Sequence, residues 1–291
     1  MFLKTIKDGA KKSEGVFHKI AHGLVGNVFS NENHDSCINL RDTRAVGIRI
    51  EKLNKSFGTN HVLKDVDLDI RAGETFSIIG PSGTGKSVLL KLIVKLDEPD
   101  SGEIFIDESP IFGEDAKNSE RDYRFSMVFQ SSALFNSLSV GENVGLWLRE
   151  KRVCKEARIR EIIREKLAMV GLQDTESLKT SELSGGMKKR VAIARSLAMN
   201  PDLILYDEPT AELDPISSDD LANTIIKVKE TTRNTTVIVT HDLNFALYVS
   251  DRIGMIYDGR IIETGTPAEI KASSNPIVRS FVYTTTKGIK G

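Results

Sequence analysis

The spacing of hydrophobic and polar positions changes several times along this chain of 291 residues. Short alternating runs at 46–50 and 66–70 predict half-buried antiparallel strands, which would form a small β layer. Apolar runs at 75–79, 203–206, 236–239 and 252–257 predict further strands. Helical periodicity marks 87–96 and the long polar stretch 139–171, and Pro267 opens a short helix. The pattern predicts an α/β core with a helical insertion between its two halves.

Composition narrows the classes of protein that fit. The chain has 40 Lys and Arg against 41 Asp and Glu, so no net charge draws it toward nucleic acid. No apolar stretch approaches the roughly 20 residues of a spanning helix, and the first 30 residues lack the pattern of a secretory signal. We therefore expect a soluble, non-exported protein. Cys37 and Cys154 lie far apart and form no CxxC motif, so we expect free thiols in a reducing compartment.

The first 45 residues differ in composition from the rest and are interpreted as an extension of the main domain, 46–291. Its apolar positions recur at near-helical spacing, which would suit a basic amphipathic helix on a membrane or a partner. Four glycines oppose a stable helix, and a poorly ordered tail is the favoured interpretation. Within the main domain, the helical subdomain is expected at about 131–195.

A glycine-rich motif follows the strand 75–79 and opens the helix after it. Its pattern, GxxxxGKS, is that of a P-loop, whose backbone N–H groups cradle phosphates. Lys86 is expected to reach the β and γ oxygens of ATP, and Ser87 to bind Mg²⁺. The predicted nucleotide-binding residues of this motif are Gly80, Pro81, Ser82, Gly83, Thr84, Gly85, Lys86 and Ser87.

Two acids end the apolar strand 203–206, where a P-loop enzyme needs carboxylates. We assign Asp207 to the metal and Glu208 to the general base that polarises the attacking water. Together with the P-loop, this pair predicts a P-loop ATPase that uses ATP and Mg²⁺.

The run Leu183-Ser-Gly-Gly-Met187 resembles the LSGGQ signature of ABC ATPases. The residues predicted to bind phosphate there, at the N-terminus of the following helix, are Ser184, Gly185 and Gly186. The resemblance covers about 47–282. It implies a mainly parallel RecA-like sheet, an antiparallel β layer and an inserted helical subdomain. It also implies a homodimer, in which each signature closes on the ATP held by the P-loop of the second copy.

Other family positions follow from the same resemblance. Phe57 resembles the aromatic residue that stacks on adenine, and Gln130 the Q-loop glutamine that touches Mg²⁺ or the attacking water. Asp214 lies in a run that resembles the D-loop, which crosses the dimer interface. His241 resembles the switch histidine that contacts the γ-phosphate. Glu212 departs from the family, which usually has glycine there, and predicts a local backbone shift or slower hydrolysis.

The segments 130–144 and 183–195 resemble the ATPases that work with MCE-domain proteins, namely bacterial Mla-type phospholipid transporters and the chloroplast lipid importer of plants. Met187 belongs to this resemblance, since most importers have glutamine there. The resemblance implies a phospholipid cargo, a pair of transmembrane permease subunits and an MCE-domain protein. The expected location is the cytoplasmic face of the inner membrane, with a plastid or other organelle envelope as the alternative.

Two other functions stay open. An ABC importer of amino acids or ions would carry the same motifs. A non-transport ABC ATPase acting on ribosomes or DNA is less favoured, because such proteins carry two cassettes or long coiled coils, and this chain has one P-loop and no heptad insertion. No nucleic-acid partner is expected.

Overall fold

Two β-sheets organise the described part of the chain, residues 43–117 and 123–287 of a computed structural model. The first sheet is antiparallel and has the order β2-β1-β4-β5. Alternate residues of β1, such as Ile48 and Ile50, are buried, as the alternating pattern predicted. The four strands are β1 (Ile48–Phe57), β2 (Asn60–Ile70), β4 (Ser101–Ile106) and β5 (Ser109–Pro110).

The second sheet has the order β10-β9-β3-β8-β7-β6. Five of its strands are parallel, and β10 pairs antiparallel with β9 at one edge. The central strands β3 and β8 are buried along their whole length, which explains why they are continuous apolar or β-branched runs rather than alternating ones. The strands are β3 (Thr75–Ile79), β6 (Phe125–Val128), β7 (Leu203–Asp207), β8 (Thr235–Thr240), β9 (Arg252–Tyr257) and β10 (Arg260–Gly265).

Helices cover the parallel sheet and form the insertion. None of the helices within the described residues is both long and apolar enough to span a membrane. They are α1 (Lys86–Ile93), α2 (Gly113–Lys117), α3 (Val140–Glu150), α4 (Glu156–Met169), α5 (Gly185–Leu197), α6 (Pro215–Thr232), α7 (Leu243–Val249), α8 (Pro267–Lys271) and α9 (Pro276–Lys287), with a 3₁₀ turn at Thr180–Glu182.

Two large apolar clusters place the functional elements. One joins the antiparallel sheet to α1 and one face of the parallel sheet. The other joins α3, α4 and α5 to α6 and the opposite face of β7 and β8. The second cluster therefore links the helical insertion to β7, the strand that ends in Asp207.

The predicted mixed α/β fold is confirmed, with small differences at element boundaries. The helix expected over 87–96 ends at Ile93, because Lys95 adopts a left-handed φ of 57°. The helical stretch expected over 139–171 is two helices separated at 151–155, where Arg152 has a φ of 50°. Residues 1–42 of the predicted extension lie outside the described part of the chain.

One expectation about cysteine is wrong. Cys154 is bonded in a disulfide, so it is not a free thiol, and Cys37 lies outside the described part of the chain. Separation along the chain argued for free thiols, but it says nothing about distance after folding. Cysteine spacing therefore does not fix the compartment of this protein.

Candidate active site

The loop between β3 and α1 has a shape that two glycines make possible. Gly80 has a φ of 154°, and a Cβ there would lie 2.2 Å from the carbonyl oxygen of Ile256. Gly85 has a φ of 99°, and a Cβ there would lie 2.8 Å from a methyl carbon of Leu63. Any side chain at either position would force neighbouring atoms apart, so the loop needs glycine at both.

Lys86 points back across this loop. Its side chain is 6% exposed, and its Nζ donates to the carbonyl oxygens of Gly80 at 2.9 Å and Pro81 at 3.0 Å. Burial lowers the pKa of Lys86, and the negative charges of Glu208 and Asp207 oppose that shift. The ammonium group is thus held at the mouth of the loop beside the acids that end β7.

Ser87 and Asp207 meet where α1 begins and β7 ends. The Ser87 hydroxyl donates to Asp207 Oδ1 at 2.8 Å. Burial raises the pKa of Asp207, the charge of Glu208 adds to the shift, and the hydrogen bond from Ser87 opposes it. A hydroxyl and a carboxylate are hard oxygen donors of the kind that Mg²⁺ accepts beside substrate phosphates, so these residues fit the metal. Within 43–117 and 123–287, no three His, Cys, Asp or Glu residues cluster as a metal site of their own.

Glu208 lies between two basic side chains. Its Oε2 accepts from the His241 backbone N–H at 3.1 Å and lies 2.8 Å from His241 Nδ1. Its Oε1 lies 3.7 Å from Lys86 Nζ. Glu208 adopts a left-handed φ of 46°, an unusual conformation for a residue with a Cβ and one that is common at functional sites. The structure therefore brings together the predicted base, switch histidine and P-loop lysine.

The signature residues begin α5 and stand apart from the P-loop of their own chain. Ser184 caps the helix by accepting a hydrogen bond from the Met187 N–H at 3.2 Å. A Cβ at Gly185 would lie 3.4 Å from Leu213, so the signature turn packs on the D-loop. Among the described residues, no hydrogen bond joins residues 184–186 to residues 80–87.

The other predicted residues lie at the edges of this site. Phe57, at the end of β1, is 50% exposed, with Lys55 Nζ 5.3 Å from its ring centroid. Asp214 caps α6 through Ser217, and these hydrogen bonds lower the pKa of Asp214. Gln130 follows β6, and its side chain forms no hydrogen bond to any residue within 43–117 and 123–287.

Sequence reasoning missed three side chains that hold the segment after Gln130. Lys189 and Arg195, both on α5, and Asn143, on α3, are all buried and donate to backbone carbonyls between 130 and 139. Periodicity puts these positions beside the apolar face of their helices, which marks them as half-buried. Periodicity does not show which backbone groups these side chains contact.

Comparison with known proteins agrees with this geometry. The sequence profile of the family described as "ABC transporter" matches residues 63–211, from β2 through the P-loop and the signature to Asp207 and Glu208. The chain belongs to the ABC transporter family. It is an ATP-binding, ATP-hydrolysing cassette, and cassettes of this family form dimers and work with transmembrane permeases.

Two curated relatives of this ABC ATPase carry different functional names. The Arabidopsis thaliana protein TRIGALACTOSYLDIACYLGLYCEROL 3, chloroplastic, is 42% identical over 258 residues, covering 83% of this chain and 75% of the relative. The probable ribonucleotide transport ATP-binding protein mkl of Mycobacterium leprae is 41% identical over 238 residues, covering 81% of this chain and 69% of the relative.

A solved structure matches the cassette over most of its length. The dimeric ATP-binding cassette MJ0796, in a post-hydrolysis state with ADP and Pi, has a TM-score of 0.66 and 35% sequence identity. The match covers 76% of this chain and 98% of that one. The mixed sheet and the antiparallel β layer are thus those of an ABC cassette.

Proposed function

We propose that this ABC ATPase energises the transport of phospholipids, as a homodimer bound to permease subunits and an MCE-domain protein. The observation that carries the ATPase chemistry is the constellation of Glu208, His241 and Lys86, with Ser87 and Asp207 beside it. The lipid cargo and the MCE-domain partner rest on the resemblance of 130–144 and 183–195. The name of the Arabidopsis relative, which contains that of a galactolipid, supports a lipid cargo.

Each residue of the constellation has a task that its position suits. The P-loop N–H groups and Lys86 bind the phosphates, while Ser87, Asp207 and Gln130 would hold Mg²⁺, which would neutralise charge on the phosphate oxygens. Glu208 accepts a proton from the attacking water. His241, 58% exposed on its side chain, contacts the γ-phosphate. Phe57 is exposed enough to stack on adenine.

The second copy of the chain completes the site. Ser184, Gly185 and Gly186 offer N–H groups and a hydroxyl at the start of α5, a favourable place for an anion. Because they do not reach the P-loop of their own chain, the ATP they close on is bound by the partner copy. The D-loop at Asp214 packs beside them through Leu213 and lies at the same interface.

Location follows from the partners. Binding to permease subunits would hold the cassette peripherally on the cytoplasmic face of an inner membrane. A chloroplast relative supports the alternative, the inner envelope of a plastid or another organelle.

A different cargo is the second candidate. The mycobacterial relative is nearly as similar as the Arabidopsis one, and its name gives ribonucleotides as cargo. The ATPase motifs are compatible with either cargo. They are equally compatible with an importer of amino acids or ions. The cargo is chosen by proteins other than this chain, so the test must identify those proteins.

The test is mass spectrometry of proteins and lipids that co-purify with a Glu208→Gln variant gently extracted from its native membrane. This variant should bind ATP, keep the dimer closed and stay on its permease. Lys86→Ala, which should bind ATP weakly, is the matched control for complexes that need nucleotide. We expect a permease, an MCE-domain protein and enriched phospholipid.

Other outcomes would contradict parts of the proposal. A different permease with a soluble binding protein would remove the lipid assignment and leave the ATPase in place. Recovery of ribosomal or DNA-bound proteins without any permease would instead favour a non-transport ABC ATPase.

A further inference from the structure

Side chains of the helical insertion hold the backbone between β6 and α3. We call residues 130–139 the Q-loop segment. Arg195 donates to the carbonyl oxygens of Ser132 at 2.9 Å and Ala133 at 2.7 Å. Ser132 and Ala133 both have left-handed φ values, 61° and 44°, which is costly for two successive residues with a Cβ. The guanidinium of Arg195 stabilises this turn.

The second half of the Q-loop segment is held by Asn143. Its Nδ2 donates to the carbonyl oxygens of Phe135, Leu138 and Ser139 at 2.9–3.3 Å, and its Oδ1 accepts from the Phe135 N–H at 2.9 Å. The Asn143 side chain is fully buried. A buried amide with every group paired fixes the path of a loop more firmly than packing alone.

Lys189 holds Gln130 itself. Its Nζ donates to the Gln130 carbonyl oxygen, and the residue is 5% exposed. Lys189 is on α5, the helix that Ser184 caps, so one helix carries both the signature residues and the only described side chain that bonds to Gln130.

The surroundings of Lys189 favour a role beyond packing. No carboxylate among the described residues lies within 4.0 Å of its ammonium, so no ion pair offsets its burial. Burial lowers the pKa of Lys189, and the more distant charges of Glu212, Asp207 and Glu208 oppose this shift. The ammonium therefore stays buried at a cost in free energy, and the charges of Asp207, the proposed metal ligand, and Glu208, the proposed base, act on it from a distance.

We propose that Lys189 is a positioning residue through which the signature helix sets the place of Gln130 at the metal. When the signature of one copy closes on ATP of the other, α5 moves as a unit, and the hydrogen bond from Lys189 moves the Gln130 backbone with it. The site of one nucleotide would thereby respond to occupation of the other. This inference rests on the proposed role of Gln130 as a metal ligand.

The experiment compares Lys189→Met with Lys166→Met in the full chain. Lys166 is a half-buried lysine of the same insertion, its pKa is likewise lowered by burial, and it donates to Asn200 Oδ1 at 2.9 Å, away from the Q-loop segment. ATPase rate is measured against Mg²⁺ concentration, and binding of fluorescent ATP is measured without Mg²⁺. Circular dichroism checks folding, and Lys189→Leu, which likewise has no donor, replaces Lys189→Met if the latter does not fold.

We expect Lys189→Met to raise the Mg²⁺ concentration for half-maximal rate about tenfold, as loss of one charge-assisted hydrogen bond implies, with nucleotide binding unchanged. Lys166→Met should leave that concentration within about twofold of the parent protein. An unchanged Mg²⁺ response in the folded Lys189 variant, or an equal shift in both variants, would overturn the inference.

Gln130→Ala separates the inference from the role on which it rests. If Gln130→Ala shifts the Mg²⁺ response and Lys189→Met does not, Gln130 is a ligand and Lys189 does not position it. If Gln130→Ala itself has no effect on the Mg²⁺ response, the proposed role of Gln130 fails, and the inference fails with it.

Discussion

His241 Nδ1 lies 2.8 Å from Glu208 Oε2, and the backbone N–H of His241 donates to the same oxygen at 3.1 Å. Because a carboxylate only accepts, Nδ1 carries the proton in this contact. Glu208 is thus oriented by the residue that follows β8, while its other oxygen faces Lys86. Two loops from neighbouring parallel strands hold the proposed base in one orientation.

Replacing the base should separate binding from hydrolysis. Glu208→Gln keeps the shape of the side chain and its contact with His241 but cannot take a proton from water. We expect turnover to fall about a hundredfold or more, with ATP affinity retained. Turnover by phosphate release and affinity by equilibrium binding test this. Glu230→Gln, at an exposed position on α6, is the control, and full turnover in Glu208→Gln would refute the assignment.

Asp207 should make stability depend on pH in a defined direction. Its folded-state pKa is raised chiefly by burial, so the protonated form favours folding. That contribution is present below the unfolded pKa of about 3.9 and is lost as pH rises through the folded pKa. Without ligands, Asp207→Asn should therefore raise Tm at neutral pH by about 2–4 °C, the shift that roughly 1 kcal/mol produces in a domain of this size.

The same variant should lose hydrolysis, because the amide is a poor ligand for Mg²⁺. The Tm difference between Asp207→Asn and the parent protein should shrink as pH falls, since both are then neutral at this position. Calorimetry across the pH range measures it. A lower Tm for the variant at neutral pH would contradict the raised pKa.

A bulky substitution at Ser184, which caps α5, tests the signature site. Ser184→Arg removes the cap of α5 and puts a long side chain where the partner's nucleotide would bind, so we expect loss of cooperative hydrolysis with ATP binding to a single chain retained. Lys86→Ala, by contrast, should weaken ATP binding to the single chain about tenfold or more. Retained cooperative hydrolysis in Ser184→Arg would show that the signature residues do not act across an interface.

Glu212 has a backbone conformation that suits glycine. Its φ is 67°, so this residue adopts the left-handed geometry rather than moving out of it. Left-handed geometry costs a residue with a Cβ roughly 1 kcal/mol. We expect Glu212→Gly to relieve this cost and to raise turnover, because the D-loop would adopt the same geometry without strain.

Glu212→Ala is the control that separates the effect of backbone conformation from the effect of the side-chain charge. It keeps the Cβ and removes the carboxylate, so it should not gain stability. Equal turnover in the glycine and alanine variants would assign the effect to the carboxylate near Lys189, and reduced turnover in Glu212→Gly would count against the proposal. Thermal unfolding and steady-state hydrolysis measure the two effects.

Much of this protein could be predicted because its signals are local. Apolar runs at β3 and β7 must be buried wherever they lie, and the glycines of the P-loop are needed by the loop itself. Alternation in β1 and β2 predicted an antiparallel layer, which the structure confirms. Hydrophobic periodicity and turn-forming residues depend only on residues that are close in the sequence, so a single sequence is enough to detect them.

Tertiary structure alone decided which distant residues meet. No pattern in the sequence places Lys189 on the carbonyl of Gln130, or His241 on Glu208. These contacts depend on the strand order β3-β8-β7-β6 and on how α5 packs against that sheet. These contacts stabilise the protein only once the whole core has folded. Two residues far apart in the sequence can meet only after the chain between them has lost conformational entropy. The sequence by itself therefore determined the chemical groups of the site, and the packing of the core decided their partners.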